Sequence, residues 1–142
     1  IIGWSASVYD SYNLGNVTVN SNLASKSGGI MGQGTVDGTI YSTIKNSFNL
    51  GNTNGGGILG GQYSISKYEK FKLRLIGNYY LSASASYGLG MYQTNQGAEP
   101  LSQDEMPSVI SVINGDNAFV EDTNNINNGY PILKWQAERE NN

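Results

Sequence analysis

A short motif that occurs more than once is the strongest constraint on how this chain can fold. The string SYNLGN at residues 11–16 returns as SFNLGN at 47–52, 36 positions later, and a shorter version, NYYL, stands at 78–81. A glycine box follows each of the first two copies, GGIMG at 28–32 and GGILG at 56–60. Recurring motifs with unequal spacers indicate that core strands repeat while the loops between them vary in length.

Units of about 30 residues are too small to bury an apolar face alone, so they are stable only when neighbouring units stack. Stacking places equivalent residues above one another, and equivalent asparagines can then form amide ladders. The predicted pairs are Tyr12 with Phe48, Asn13 with Asn49, Leu14 with Leu50, Asn16 with Asn52, and Ile30 with Ile58. We also expect Gly15 and Gly51 to supply the positive φ of a turn.

The composition favours short strands and tight turns. Gly, Asn, Ser and Thr make up 60 of the 142 residues, and Tyr contributes 10 more. Gly and Asn favour turns, whereas Tyr, Ile and Val favour strands. The predicted fold is mainly β: a short parallel β-solenoid, or β-helix, of repeated coils with one short C-terminal helix and a closing strand. An antiparallel β-sandwich is the alternative, because short strands with glycine turns do not define the connectivity.

Two missing residue types limit the chemistry. The chain contains no His and no Cys, so disulfides, Cys nucleophiles, His-based triads and typical zinc sites are excluded. Its net charge of −3 argues against general nucleic-acid binding. No apolar run approaches the roughly 20 residues of a membrane-spanning helix. We therefore expect no cofactor, no nucleic-acid partner and no membrane insertion.

Residues 62–76 interrupt the repeat pattern. Lys70, Lys72 and Arg74 alternate with apolar residues there, which predicts a half-buried strand with one basic face. Such a face commonly stays solvated and discourages the pairing of edge strands. The alternative is a patch for an anionic glycan or cell-wall polymer. Its contact residues would be Lys70, Lys72 and Arg74 together with the neighbouring Tyr68.

The C-terminal part is predicted to close the stack. A helix is predicted over 104–114, because Met106, Val109, Ile110 and Ile113 have helical spacing. A start at Asp104 would place Pro107 in the first turn. A last apolar strand is predicted near 130–135, and we expect the tail from Gln136 to be solvated. Caps of this kind cover the open edge of a stacked sheet.

Two parts follow from this pattern. Residues 1–101 form the repeat region, which contains the insert, and residues 102–142 form the capping helix, closing strand and tail. Residues 1–4 align with residues 30–33 and with 58–61, so the chain starts inside a repeat. We therefore expect this chain to be part of a longer one.

The repeats resemble a known family. The strings DSYNLGN at 10–16 and NSFNLGN at 46–52, together with the two glycine boxes, resemble the GLUG repeat of bacterial surface and secreted proteins, which include immunoglobulin A1-specific metallopeptidases. Clostridial versions often carry Cys before the aromatic residue, where this chain has Ser11, Ser47 and Asn78.

The order of the remaining motifs extends the resemblance. The string NYYL at 78–81 resembles the last unit of such arrays, and AFVED at 118–122 with NNGYPILKW at 127–135 looks like their closing segment. The resemblance implies a β-solenoid stalk or accessory module of a bacterial, clostridial or Firmicutes-type protein, located outside the cell or on its surface. The repeat carries no catalytic residues, and the peptidases' zinc motif, His-Glu-x-x-His, cannot exist in a chain without His.

Three further motifs contain residues that could form a site. The string GGGILG at 55–60 has the letters of a dinucleotide fingerprint but lacks the acidic residue about 20 positions later. Oxygen-bearing side chains between Asp116 and Asn127 could bind Ca²⁺, although capping of turns is the favoured role. The acidic residues Glu99, Asp104 and Glu105 could hydrolyse glycosides only as a correctly spaced pair, and they have the positions of helix-start residues.

The predicted function is therefore non-catalytic: a structural or adhesion module, stalk or spacer, of a bacterial surface or secreted protein. A carbohydrate- or cell-wall-binding module is the second hypothesis, with sugar rings stacked on exposed tyrosines. The candidates for stacking are Tyr41, Tyr63, Tyr68, Tyr87 and Tyr92. A polysaccharide-degrading enzyme, or an accessory piece of a larger peptidase, is the remote alternative. The partner would be a host or cell-wall glycan or a protein, and no catalytic, cofactor or metal residue is assigned.

Overall fold

The structure is a computed structural model that describes residues 2–4, 7–37, 40–64, 73–114 and 117–139. Strands in these ranges are β1 Ile2–Trp4, β2 Val8–Tyr9, β3 Tyr12–Asn13, β4 Met31–Asp37, β5 Ile40–Tyr41, β6 Thr43–Lys45, β7 Phe48–Asn49, β8 Leu59–Ser64, β9 Arg74–Ile76, β10 Asn78–Leu81, β11 Ala98–Leu101, β12 Phe119–Val120 and β13 Ile132–Leu133. The helical elements of the same ranges are two 3₁₀ helices, Ser21–Lys26 and Met106–Val109, and two short α-helices, α1 Ile110–Ile113 and α2 Lys134–Arg139. The described fold is mainly β, as predicted.

Successive segments of the chain contribute one strand each to three parallel sheets of the described residues. Sheet 1 contains β1, β4 and β8; sheet 2 contains β2, β6 and β9; sheet 3 contains β3, β7 and β10, with β11 added at its edge. We call these parts of the chain segment 1 (2–30), segment 2 (31–58) and segment 3 (59–81). Antiparallel pairing joins β5 to β4 and β12 to β13. Because the ladders that join the segments are parallel, the antiparallel β-sandwich is wrong.

The predicted pairing of equivalent residues is confirmed in sheet 3. Tyr12 is the register partner of Phe48, and the two rings stack with centroids 5.2 Å apart and planes 6° apart. The next position forms the expected amide ladder, since Asn13 Nδ2 donates to Asn49 Oδ1 at 2.8 Å. The second predicted pair is joined differently, because Asn16 Oδ1 accepts from the backbone N–H of Asn52, at 2.9 Å.

The corner between sheets 2 and 3 is formed by a residue with positive φ in each segment. These residues are Asp10 (φ 47°), Asn46 (φ 51°) and Gly77 (φ 60°), and Asp, Asn and Gly tolerate this left-handed region best. The prediction of positive φ for Gly15 and Gly51 is wrong. Position 51 requires glycine for a different reason: the backbone of Gly15 lies so close that a Cβ on residue 51 would overlap its carbonyl group.

Polar side chains directly after this corner connect one segment to the next. The N–H of Ser11 donates to Ser47 Oγ at 3.3 Å, and the N–H of Ser47 donates to Asn78 Oδ1 at 3.2 Å. Asn78 Nδ2 in turn donates to the carbonyl of Ile44 at 2.8 Å. Ser47 and Asn78 are buried, and buried polar groups are retained when they have such partners.

Two apolar clusters stabilise the fold. One lies among the three sheets and contains Val8, Ile30, Met31, Ile44, Ile58, Leu59, Leu73, Tyr80, Leu89 and Ala98. The other joins sheet 3 to the C-terminal part and contains Phe48, Met106, Val109, Ile113 and Phe119. The predicted cap therefore packs across the aromatic face of sheet 3, because rings that point away from the first cluster need a second layer to bury them.

The predicted helix near 104–114 is confirmed, but its predicted start at Asp104 is wrong. Ser102 and Glu105 form a reciprocal capping box: the N–H of Ser102 donates to Glu105 Oε2 at 2.9 Å, and the N–H of Glu105 donates to Ser102 Oγ at 3.3 Å. The N–H of Met106 donates to the carbonyl of Ser102 at 3.0 Å, so this box closes the turn that leads into the 3₁₀ helix, which begins at Met106.

The end of the chain also differs from expectation. The closing strand covers Ile132–Leu133, and residues 136–139 of the predicted tail are helical, as part of α2, in which no residue is buried. Gln136 binds this helix to the repeats, because its Oε1 accepts from the hydroxyl of Tyr12 at 2.9 Å and from the N–H of Leu133 at 2.8 Å.

The predicted insert, 62–76, begins and ends within strands that pair with the preceding segment. Strand β8 continues as far as Ser64 alongside β4, and β9 pairs with β6 from Arg74 onward. Leu73, which precedes β9, is buried in the apolar cluster among the sheets. Repeat pairing therefore continues at both ends of the range 62–76 that was expected to interrupt it.

Candidate functional site

Of the four predicted glycan contacts, Arg74 lies within the described residues. Lys70, Lys72 and Tyr68 lie outside them. Arg74 is exposed on β9, and its guanidinium lies 5.8 Å from the ring centroid of Tyr41, within the range of a cation–π contact. One face of the Tyr41 ring is thus occupied by Arg74, in a contact between a strand of sheet 2 and a strand of sheet 1.

A groove lined by loops and a 3₁₀ helix combines polar groups with an aromatic ring. Its volume is about 360 Å³. The lining residues are Ser21, Ala24, Ser25, Thr53, Asn54, Gly55, Ser86, Tyr87, Gly90 and Gln93. They come from the 3₁₀ helix Ser21–Lys26, from the loop before the second glycine box and from the turns that follow β10.

Hydrogen bonds hold the central loop of the groove in place. Asn54 Nδ2 donates to the carbonyl of Val19 at 2.7 Å, and its Oδ1 accepts from the N–H of Val19 at 3.2 Å. Thr53 Oγ1 accepts from the N–H of Gly55 at 3.0 Å. Because the side chains of Asn54 and Thr53 already hydrogen-bond to the backbone, they fix the shape of the groove. Other groups would have to contact a ligand.

The groups available for recognition are hydroxyls, an amide and one ring. Ser21, Ser25, Ser86 and Gln93 have exposed side chains, and the side chain of Tyr87 is 39% exposed. Hydroxyl and amide groups can hydrogen-bond to a sugar, and a tyrosine ring can stack on its apolar face. The groove therefore offers both hydrogen-bonding groups and an aromatic ring to a ligand.

The sequence had indicated Tyr87 and Tyr92 as exposed rings, and both are partly exposed. Burial raises the pKa of the Tyr92 hydroxyl above its ordinary value. The serines of the groove were missed. A usable signal was present, because the Ser-rich string SNLASKS at 21–27 immediately precedes the first glycine box.

Among the candidate calcium ligands, Asp122 caps a turn. Asp122 Oδ1 accepts from the N–H of Ile126 at 2.7 Å, and Oδ2 accepts from the N–H groups of Asn127 at 2.6 Å and Gly129 at 3.0 Å. Desolvation raises the pKa of the Asp122 carboxyl, but these three donors outweigh it and hold the pKa below its ordinary value. Turn capping by Asp122 is thus confirmed, while Asp116 lies outside the described residues.

Of the remaining acidic candidates, Glu99 lies in strand β11, so its predicted place at a helix start is wrong, and Asp104 precedes the 3₁₀ helix Met106–Val109. Glu105 belongs to the capping box, and the hydrogen bond from the Ser102 side chain is the main cause of its lowered pKa. Within the described ranges, His, Cys, Asp and Glu do not form a group of three or more that could hold a metal ion. The glycines at 55–60 are followed by strand β8, where a dinucleotide site requires a helix.

The comparisons with known proteins add no relative. No protein-family model matches this chain, and no curated protein or solved structure matches it. Among the described helices, none has the length and apolar character needed to cross a bilayer. What this chain does must therefore be argued from its own residues and from the motifs of its repeats.

Proposed function

We propose that this chain is a non-catalytic structural or adhesion module, acting as a stalk or spacer in a bacterial surface or secreted protein. The observation that supports it best is the parallel stacking of segments 1, 2 and 3, with Tyr12 on Phe48 and Asn13 on Asn49. A stack of this kind grows by adding segments without changing its cross-section, as a spacer requires.

The finer architecture in this proposal is a short β-solenoid, in which segments 1, 2 and 3 are successive coils. Two features support it: each coil turns the same corner, at Asp10, Asn46 and Gly77, and each contributes one strand to each sheet. The GLUG-like motifs lie at matching places in coils 1 and 2, which supports membership of that repeat class and an extracellular or surface location.

Hydrogen–deuterium exchange tests the solenoid. In a stack, the N–H groups of Phe48 and Tyr79 are protected because they donate to the carbonyls of Ser11 and Ser47 in the preceding coil, at 3.0 Å each. Both amides should exchange only on global unfolding. Exchange of Phe48 as fast as an unfolded peptide would contradict the architecture.

The second candidate function is carbohydrate binding in the groove that contains Tyr87. The specific observation in its favour is the combination of that exposed ring with serine hydroxyls and the Gln93 amide. A glycan array probed with the whole chain tests it. Binding that Tyr87→Ala abolishes, and that the control Tyr9→Ala preserves, would support the groove. Tyr9 is a suitable control because it is 52% exposed on β2 and does not line the groove.

Product analysis tests the non-catalytic proposal. The chain is incubated with plant, fungal and bacterial polysaccharides, and the supernatant is analysed for new reducing ends and for unsaturated uronates. We expect neither to form. Release of either product, retained after repurification and lost on heat denaturation, would overturn the proposal in favour of a polysaccharide-degrading enzyme.

A further inference from the structure

We propose that the face formed by β1, β2 and β3 is a docking surface for one more parallel coil with the chain's own repeat pattern. The inference rests on the proposed solenoid architecture. Each of these three strands lies at the edge of its sheet in the described fold. Unpaired N–H and C=O groups on such strands are a template for further pairing.

Two glycines hold equivalent positions in successive coils but have different surroundings. Gly51 is buried, and a Cβ on it would overlap the carbonyl group of Gly15 in the coil above. Gly15 holds the same position one coil earlier, yet the nearest described atom to its Cβ position is Asn13 Oδ1, at an ordinary 3.5 Å. Its φ also lies outside the left-handed region. The described structure thus explains the glycine at 51 but not the one at 15, unless another backbone also passes over Gly15.

The adjacent asparagines show the same asymmetry. Asn49 Oδ1 accepts two hydrogen bonds, from Asn13 Nδ2 at 2.8 Å and from the N–H of Gly51 at 3.3 Å. Asn13 Oδ1 accepts from the N–H of Gly15 at 3.1 Å, and within the described residues it has no donor from a preceding coil. An asparagine placed one coil above Asn13 would complete the ladder in the same geometry.

The two edges of sheet 3 differ, and the difference shows whether a second copy of the chain or a further coil would pair with β3. At the far edge of sheet 3, β11 contains Pro100, which has no N–H to donate, beside the exposed Glu99. Such an edge does not fit onto β3 of another copy. Leu14 and Tyr9, near the first edge, are each 52% exposed, which is apolar area that a coil can cover. The occupant is therefore a coil with the pattern of residues 30–57, entering in parallel register.

The experiment compares the chain with an extended version. A copy of residues 30–57 is placed directly before Ile1, so that its final Gly-Gly precedes Ile1-Ile2-Gly3 just as 56–57 precede 58–60. The variants Gly15→Ala and Gly51→Ala are made in both versions, and the urea midpoint of each is measured by circular dichroism. Sedimentation velocity gives the oligomeric state.

We expect Gly51→Ala to lower the midpoint by about 1 M in both versions, as insertion of a methyl group into a tight contact does. Gly15→Ala should leave the original chain unchanged and lower the midpoint similarly in the extended version. An equal effect of Gly15→Ala in both versions, or rapid proteolysis of the added coil, would overturn the docking surface. So would dimerisation of the original chain through this face. A harmless Gly51→Ala would instead overturn the solenoid itself.

Discussion

Replacement of Phe48 by alanine is the most informative single perturbation of this fold. Phe48 is fully buried on β7, and its ring contacts Tyr12 at 5.2 Å and Phe119 at 5.4 Å between centroids. It is the one residue of the repeat segments among the five buried members of the second apolar cluster in the described fold. The side chain thus joins the repeats to the C-terminal part.

The expected loss of stability can be estimated from these contacts. Truncation of a buried Phe to Ala costs about 3–5 kcal/mol, because both the transfer free energy and the contacts around the cavity are lost. This range already includes the two ring pairs, worth about 0.5–1.5 kcal/mol each. A domain has a free energy of unfolding of about 5–15 kcal/mol. Phe48→Ala should therefore remove a large fraction of it, about 4 kcal/mol.

Urea unfolding followed by far-ultraviolet circular dichroism measures this loss. Tyr9→Ala is the matched control, since a ring that is 52% exposed should change the free energy of unfolding by no more than about 0.5 kcal/mol. Hydrogen exchange should also accelerate at Ile113 and Phe119, whose packing depends on Phe48. A loss below about 1 kcal/mol, or unchanged exchange in the C-terminal part, would refute the reasoning.

Three smaller effects test individual hydrogen bonds. Asn49→Ala should cost about 2–3 kcal/mol in chemical unfolding and Asn13→Ala less than half of that, because only Asn49 is fully buried; equal costs would contradict the amide ladder. Asp122→Asn should make the melting temperature depend less on pH in the acid range. Because the pKa of the Asp122 carboxyl is lowered in the folded state, its ionised form stabilises the fold above the ordinary pKa of 3.8. This stability is lost as the pH falls through the folded-state pKa. An unchanged pH profile would contradict its capping role. Ser102→Ala should destabilise the chain by about 1 kcal/mol in thermal melts, and Glu105→Gln less, because the capping box loses its hydroxyl in the first case only.

The strand register is the part of the fold that could be predicted. The recurrence of an aromatic residue followed by Asn-Leu-Gly-Asn placed Tyr12 over Phe48 and Asn13 over Asn49, and both pairs form. Identical side chains at equal places in parallel strands are compatible neighbours, so a repeat in sequence becomes a contact in space. Even here, the reason for glycine at position 51 was predicted wrongly, because close approach of two backbones leaves no mark in one motif alone.

The groove and the second apolar cluster could not be predicted in the same way. The groove combines residues near 21–25, 53–55 and 86–93, whose proximity depends on loop lengths that differ from segment to segment. The position of the C-terminal part depends on which face of sheet 3 remains uncovered. Helical spacing indicates that α1 and the preceding 3₁₀ helix have an apolar side but does not indicate what that side contacts.

The sequence alone determined the mainly β class, the pairing of equivalent residues and the absence of His and Cys chemistry, since these follow from local pattern and composition. The tertiary structure decided that the C-terminal part lies across Phe48, that Asp122 caps a turn, and that Gly15 lacks, among the described residues, the backbone neighbour that Gly51 has. The physical reason is that burial and close approach depend on which distant segments contact each other. A sequence repeat predicts contacts between its own copies, but not contacts between the repeats and the rest of the chain.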